Sequence, residues 1–246
     1  MPKKDVSLDD LNHLWDGYAQ IYDGLMLIPL FQDMKKNSLH AVLPNVGGTL
    51  HIGGCGPGYY IKELLDITKS DRIIATDISD EMIRRAEDKV SLFDEDEKKK
   101  VAFLRLDLLT DWPEESFDTQ TFFAFHYLPH EGWKKIITKA YETMNAGGYL
   151  YYSSFIKGLD VSKITKEHIK EQLVPLPPKK FVGLIYSLIK AVSYNKKFAR
   201  LIEKGDVVLP SKEELVEFCK ELGFKNVELA GTIVYGAGVI IRAQKP

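Results

Sequence analysis

The sequence lacks the long apolar runs and the cysteine clusters that identify several classes of protein. No uninterrupted apolar run approaches the ~18 residues of a membrane-spanning helix, and residues 1–10 lack the apolar core of a signal peptide. The two cysteines, Cys55 and Cys219, form neither a metal-ligand pair nor a disulfide framework. We therefore expect a cytoplasmic protein with no metal site and no stable membrane insertion.

The sequence also lacks a strong charge of either sign. Its 33 Lys and Arg residues nearly balance 35 Asp and Glu residues, which leaves a formal net charge of -2. A chain without a global positive field is a poor candidate for binding nucleic acid, so we expect none as a partner. With 246 residues, 45% of them hydrophobic, the chain is large enough to bury a substantial core. A single domain that acts on a small molecule fits these limits.

What the sequence does contain is an alternation of short apolar runs with segments of helical spacing. Such alternation predicts an α/β fold with a parallel, doubly wound sheet. We predict that the charged block 94–100 is a solvated turn and that Gly147-Gly148 ends a helix before the fifth strand. The five predicted strands are Thr49–Gly53, Arg72–Asp77, Val101–Leu106, Phe117–Phe125 and Tyr149–Phe155.

A glycine-rich stretch follows the first predicted strand directly. Its sequence, Gly54-Cys55-Gly56-Pro57-Gly58, has the spacing G-x-G-x-G. This spacing is tighter than the G-x-G-x-x-G of dinucleotide-binding loops, so it favours a nucleoside with a short zwitterionic tail over a pyrophosphate. The alternative is that the glycines only allow the strand and the next helix to pack closely.

Two aspartates stand at the ends of the next two predicted strands, where ligands bind in such folds. Asp77 follows Gly58 by 19 positions and could accept hydrogen bonds from both hydroxyls of a ribose. The alternative for Asp77 is a cap on the helix that starts near Ser79. Asp107 could contact the edge of an adenine ring, or it could be an ordinary turn aspartate.

Taken in order, these segments resemble the class I S-adenosylmethionine-dependent methyltransferases, and in particular the small-molecule enzymes of the ubiquinone/menaquinone-biosynthesis type. The resemblance covers most of the chain. The segments that carry it are Trp15–Asp23, Gly54–Gly58, Ile74–Ser79, Asp107–Leu109, Trp112–Pro113, Ser116–Asp118, Phe125–Pro129, Met144–Gly148, Ser211–Glu214, Gly223–Phe224 and Gly238–Ala243.

The resemblance implies a single domain over residues 1–246 with a mostly parallel, seven-stranded, Rossmann-like sheet. It further implies a helical cover at residues 1–45 and an inserted helical lid at residues 157–209. The implied cofactor is S-adenosyl-L-methionine, and the implied reaction is methyl transfer to a small molecule. The implied cofactor-binding residues are Gly54, Cys55, Gly56, Gly58, Asp77, Ile78, Asp107, Leu108, Phe125 and Tyr22.

The first strand departs from the pattern of the family. The family usually carries an Asp or Glu there, which holds the amino-acid end of the cofactor, but this chain has His51-Ile52-Gly53. Two alternatives to a methyltransferase therefore stay open. One is a non-catalytic partner protein that binds the cofactor, and the other is an enzyme that uses the sulfonium for different chemistry.

Methyl transfer mainly requires that the protein position the acceptor against the methyl group, because the sulfonium methyl is already a strong electrophile. A base is needed only if the acceptor loses a proton. Our candidates are His126, Tyr18 and Tyr22, with His13 and His130 as weaker ones. A core position is the alternative for His126. Tyr18 and Tyr22 share a helix face and would close over the cofactor or belong to the core.

The segment 157–209 is far longer than such a connection requires. Within it, Phe181, Leu184, Ile185, Leu188, Ile189 and Val192 form one apolar helical stripe. We predict that this stripe captures a small, apolar acceptor. The alternatives are packing on the core, a homodimer contact and, because lysines and an arginine flank the stripe, contact with a membrane surface or an anionic acceptor. The sequence does not choose among carbon, oxygen, nitrogen and sulfur as the methylated atom.

Overall fold

The computed structural model describes residues 8–123, 128–158 and 178–246 of the chain. Its centre is a seven-stranded sheet with the strand order β3-β2-β1-β4-β5-β7-β6. Strands β1 to β5 pair in parallel, whereas β7 runs antiparallel to both β5 and β6. The strands are β1 Thr49–Gly53, β2 Arg72–Asp77, β3 Val101–Arg105, β4 Phe117–Phe122, β5 Met144–Phe155, β6 Lys225–Ile233 and β7 Gly238–Gln244. The predicted α/β fold with a mostly parallel, doubly wound sheet is confirmed.

The helices flank the sheet or extend beyond one of its edges. Two of the helix starts inferred from the sequence have the expected caps: Ser79 accepts a hydrogen bond from the backbone of Met82, and Ser211 with Glu214 forms a capping box. The helices are α1 Leu8–Leu25, α2 Pro29–His40, α3 Ile61–Thr68, α4 Asp80–Val90, α5 Glu95–Lys98, α6 Gly132–Thr143, α7 Pro178–Lys204 and α8 Lys212–Glu221.

The winding of the sheet reverses between β1 and β4, which are neighbours in space. From β1 the chain moves outward through β2 to β3, and it then returns to the other side of β1 with β4. In open parallel sheets, ligands bind at the carboxyl ends of the strands beside such a reversal. The carboxyl ends of β1, β2 and β3 therefore form the rim on which a site is expected.

Buried side chains cover both faces of the central strands. Helices α6 and α8 pack on one face through residues such as Ile136 and Leu215, and α3 and α4 pack on the other through residues such as Leu64 and Ala86. A third apolar cluster joins α1 to residues of α2, α4 and α7 and to the turn between β6 and β7. This third cluster lies outside the two layers that any doubly wound sheet needs.

The structure corrects our interpretation of Gly147-Gly148. Strand β5 begins at Met144, immediately after α6, so the two glycines lie inside the strand and do not separate it from the helix. The pairing register between β4 and β5 shifts at this point. A Cβ on Gly148 would lie 2.9 Å from the carbonyl oxygen of Asp118. The glycines therefore permit an irregular, close pairing of two strands.

Two smaller boundaries also differ from the prediction. The charged block 94–100, predicted as a turn, contains the short helix α5, whose first turn is capped by the carboxylate of Asp94. Strand β4 ends at Phe122, whereas the prediction extended it to Phe125, and residues 124 and 125 lie outside the described residues.

Candidate functional site

The glycine-rich loop between β1 and α3 turns by means of left-handed backbone angles. Gly54, Gly56 and Gly58 have φ values of 62°, 54° and 80°. L-residues with a side chain pay about 1–2 kcal/mol for this conformation, which explains the glycines. A Cβ on Gly58 would also lie 3.0 Å from the Cα of Ala86, so this glycine brings the loop against α4.

Gly53 and Gly56 show two different uses of a missing side chain. A Cβ on Gly53 would overlap the ring of Phe122, so this residue allows close packing within the sheet. A Cβ on Gly56, by contrast, would meet no atom within 4 Å. The loop thus presents open space at Gly56, on the side where a ligand would approach the backbone.

Asp77, at the end of β2, lies directly beside this loop. Its Oδ2 accepts a hydrogen bond of 2.9 Å from the backbone N–H of Gly56, and its Oδ1 accepts one of 3.0 Å from the N–H of Ser79. Burial raises the pKa of Asp77 to about 6. The carboxylate is therefore mostly ionised at neutral pH, and a carboxylate can accept more hydrogen bonds than these two.

Asp107 and Leu108 follow β3 on the same rim. The carboxylate of Asp107 accepts hydrogen bonds from the Leu109 backbone at 3.0 Å and from the Thr110 hydroxyl at 3.2 Å. These bonds agree with the alternative of a turn aspartate, and contact with an adenine edge stays a prediction. Leu108 is buried against the position of Gly53, while Ile78 is half-buried beside Asp77.

Helix α1 brings Tyr22 close to Asp77. Burial, together with the charge of Asp77, raises the pKa of Tyr22 to about 12. The Tyr22 ring stacks on that of Tyr59 from the loop, with centroids 5.9 Å apart. Tyr18 is only 8% exposed and contacts the rings of Trp15, Tyr22 and Tyr194. Both tyrosines thus lie between α1 and its neighbours, and their catalytic roles stay predictions.

Two carboxylates of α1 that the sequence analysis overlooked attach this helix to α4. Asp16 accepts a hydrogen bond of 2.5 Å from the hydroxyl of Ser79. Asp23 accepts one from the hydroxyl of Tyr59 and pairs with Arg85 at 3.1 Å. Asp16 and Asp23 are seven positions apart and so lie on one face of the helix. That spacing is the signal that could have revealed them.

His51 occupies the part of β1 where the family usually has a carboxylate, and it is fully buried. Its ring nitrogens lie 3.2 Å from Oε1 of Gln120 and 3.0 Å from the hydroxyl of Thr76. Burial lowers the pKa of His51 to about 4, so the ring is neutral at neutral pH. Ile52 is buried on the opposite face. Neither residue supplies a charge to the glycine loop.

The remaining predicted site residues are only partly described. Phe125 and His126 lie outside the described residues, as does the side chain of His13, and their roles stay predictions. His130 has a φ of 47°, and its backbone N–H donates a hydrogen bond of 2.7 Å to the carbonyl of Asp206. The segment just before α6 is thus hydrogen-bonded to the segment that follows α7.

The described part of the chain contains neither a cluster of metal ligands nor a helix that could cross a membrane. No group of three or more His, Cys, Asp or Glu residues there is arranged to hold a metal ion. No helix there combines the length and the apolar character needed to cross a membrane.

Comparison with known proteins agrees with this geometry. Residues 52–148, which include the glycine loop, Asp77 and Asp107, match the sequence model of the family described as "Methyltransferase domain". Residues 52–148 therefore belong to a methyltransferase domain. No curated protein matches the sequence significantly.

Solved structures of methyltransferases share the fold of this methyltransferase over nearly its whole length. The complex of DhpI with SAH has a TM-score of 0.62 at 16% identity and covers 97% of both chains. The complex between the Haloferax volcanii Trm112 methyltransferase activator and a putative methyltransferase has a TM-score of 0.61 at 15% identity, covering 94% of this chain and 97% of that one. The N-methyltransferase NodS from Bradyrhizobium japonicum WM9 has a TM-score of 0.55 at 14% identity, covering 89% and 97%.

The family match and the fold confirm the class I S-adenosylmethionine-dependent methyltransferase that the sequence predicts. The cofactor of this family is S-adenosylmethionine, and neighbours in the fold were solved with SAM or SAH bound. The finer resemblance to the ubiquinone/menaquinone-biosynthesis type stays a prediction.

Proposed function

We propose that this methyltransferase transfers the methyl group of S-adenosylmethionine to a small, apolar acceptor by in-line displacement. The observation that carries the proposal is the third apolar cluster, in which α1 and α7 meet the β6–β7 turn. Tyr22 joins this cluster to Asp77. The turn adjoins the carboxyl end of β5, because Ile156 donates a hydrogen bond of 3.1 Å to Ala237. Apolar and aromatic side chains thus lie beside the rim, and their position supports an apolar acceptor there.

The described residues fit the cofactor. The open space at Gly56 lets a ligand approach the backbone of the loop, and Asp77 offers acceptors suited to a vicinal diol. Tyr22 would cover the nucleoside from α1, while Asp107 and Leu108 would line its base.

The chemistry follows from these placements. The bound cofactor supplies an electrophilic methyl group, and the chain's own task is to bind, orient and exclude water. With a pKa of about 12, Tyr22 keeps its proton at neutral pH and can donate a hydrogen bond, which disfavours it as a general base. For an acceptor that loses a proton, His126 is the base we propose.

One observation favours a second candidate, a protein that binds the cofactor without turnover. Because His51 is neutral and Ile52 is apolar, β1 supplies no carboxylate for the cofactor's ammonium group. Backbone carbonyls of the loop would then hold that group, and affinity would be lower. Binding and turnover therefore need separate measurements.

The experiment incubates the protein with S-adenosylmethionine labelled in the methyl group and a cell extract, which is then separated into organic, aqueous and protein fractions. We expect label in an organic-soluble small molecule. Asp77→Ala should weaken cofactor binding about 10–150-fold, because it removes hydrogen bonds to a charged acceptor worth about 1.5–3 kcal/mol. Asp88→Ala, at an exposed carboxylate of α4, is the matched control and should leave both readouts unchanged.

The fractions separate the alternatives. Label in the aqueous or protein fraction would contradict the apolar acceptor while supporting methyl transfer. Calorimetric binding of the cofactor with no label in any fraction would favour the non-catalytic candidate.

A further inference from the structure

Helix α7 exposes apolar side chains on the face that points away from the domain. Tyr186, Ile189 and Val192 are 51%, 65% and 39% exposed. Ala191 and Phe198, on the opposite face of the same helix, are buried. We call the exposed side the outer face of α7. An amphipathic helix normally turns polar residues to water, so an outer face with three apolar residues calls for an explanation.

The same helix carries an unusual concentration of positive charge. Its sequence has seven Lys and Arg residues and one Glu, a net charge of +6. Because the whole chain has a net charge of -2, the rest of it carries -8. The basic charge is therefore concentrated in one segment of an otherwise acidic protein.

Four of these basic residues lie on the outer face without a carboxylate partner among the described residues: Lys190, Lys196, Lys197 and Arg200. Elsewhere in the described structure, ion pairs are common on the helices, as at Lys62 on α3. Lys190 lies instead over the ring of Tyr186, with its Nζ 5.7 Å from the centroid. Lys197 lies over the ring of Tyr194, at 5.9 Å. Among the described residues, the outer face thus offers cations without a carboxylate partner beside exposed apolar groups.

We propose that the outer face of α7 docks the protein reversibly on an anionic lipid bilayer. Aliphatic residues and a tyrosine would enter the boundary between head groups and acyl chains, while the lysines and the arginine would meet anionic head groups. No membrane crossing is involved, and the proposal does not depend on which acceptor the enzyme methylates.

The outer face of α7 is less well suited to two other partners, a second copy of the chain and nucleic acid. In a symmetric dimer through α7, the outer faces of the two copies would contact each other. Both faces are basic, so their charges would repel. Nucleic acid would match the charge but would leave the exposed Ile189 and Val192 without an apolar partner. A bilayer with anionic lipids satisfies both features of the face together.

The test is co-sedimentation of the full chain with vesicles of phosphatidylcholine, with and without phosphatidylserine. We expect binding only to the vesicles that contain phosphatidylserine, weakened by added salt. The triple variant Lys196→Gln/Lys197→Gln/Arg200→Gln should bind about 100-fold more weakly, since each basic residue near such a surface contributes about fivefold. Ile189→Ser/Val192→Ser should weaken binding about tenfold with the salt dependence retained.

The matched control is Lys134→Gln/Lys135→Gln/Lys139→Gln, which removes the same charge from α6 and should bind like the parent protein. Calorimetry of S-adenosylmethionine binding confirms that each variant is folded. Equal binding to neutral vesicles, no binding to either kind, or an equal loss in the α6 control would overturn the proposal. A dimer in analytical ultracentrifugation that only the α7 variants abolish, without lipid binding, would instead assign the face to a second copy of the chain.

Discussion

The cofactor rim and the third apolar cluster hold their residues in place by different means. On the rim, backbone conformation and backbone hydrogen bonds position the residues. Glycines adopt left-handed angles, and two backbone N–H groups donate hydrogen bonds to Asp77. In the cluster, side chains from helices far apart in sequence hold each other, as Tyr18 and Tyr194 do. The rim is therefore specified locally, whereas the cluster depends on the whole chain.

The β6–β7 turn sharpens this contrast. On the rim the left-handed residues are glycines, but in the turn Val234 and Tyr235 adopt φ values of 52° and 53°. This conformation costs about 1–2 kcal/mol for a residue with a side chain, and more for a β-branched one. Val234 is buried in the cluster. Tertiary packing thus overrides local preference at the turn, while local preference and structure agree on the rim.

The largest effect should come from filling the open space at the glycine loop. Gly56→Ala adds a methyl group where the cofactor would approach, and overpacking costs about 1–3 kcal/mol, so we expect about 5–150-fold weaker binding of S-adenosylmethionine by calorimetry. Gly47→Ala is the matched control, because Gly47 also has a left-handed φ, 67°, and open space around its Cβ. Gly47 precedes β1, away from the rim.

Both variants should lose similar thermal stability, since both put a Cβ on a left-handed backbone. Equal cofactor affinities in the two variants would show that the space at Gly56 is not the cofactor site. The local backbone of the glycine loop would then not define the cofactor site.

The predictability of each region follows from this difference. The left-handed glycines, Asp77 and the Ser79 cap could be predicted because their partners lie close by in the sequence or at the end of the next strand. The resemblance to a family then supplied the number of strands, seven. These features concern backbone geometry, which few residue types can satisfy.

The features that escaped prediction depend on distant partners. Asp16 and Ser79 are 63 positions apart, and nothing local indicates that they meet. Gly147-Gly148 was assigned to a helix end because its partner, Asp118 on the edge of β4, is not visible in the local sequence. The environment of His51 likewise comes from Gln120 and Thr76 on two other strands.

An intermediate effect is expected from pH, through Asp77. With a pKa of about 6, this carboxyl is mostly ionised at pH 7 and mostly protonated at pH 5. If the ribose hydroxyls need the ionised form, cofactor affinity should fall about tenfold between pH 7 and pH 5. In Asp77→Asn, affinity should be lower at pH 7 and nearly independent of pH over the same range.

The effect of Asp77 on stability should have the opposite sign. Its pKa in the folded protein is above the unfolded value of 3.8. Its contribution to the free energy of unfolding is therefore fully present below that value and is lost as pH rises through about 6. The difference in stability between the parent protein and Asp77→Asn, measured by denaturant unfolding, isolates this contribution from that of His51. A cofactor affinity that is flat with pH in the parent protein would contradict the role of Asp77.

The smallest effect concerns the contact between α1 and α7, on which the cluster depends. A Cβ on Gly17 would overlap the hydroxyl of Tyr194, whose ring packs on Tyr18. Gly17→Ala should therefore move α7 from α1 and destabilise the protein by about 1 kcal/mol, less than a rigid overlap would cost because the tyrosine can swing. Tyr194→Phe removes the obstructing oxygen, so Gly17→Ala should cost less in that background, and the double-mutant cycle should give a coupling energy of about 0.5–1 kcal/mol. Additive free energies would mean that the two helices do not meet at this point in solution.

Cofactor affinity should change little in all three variants, because the rim is held by its own backbone. A loss of cofactor binding in Gly17→Ala that Tyr194→Phe restores would instead show that the cluster controls the rim, and would remove the separation between the two regions.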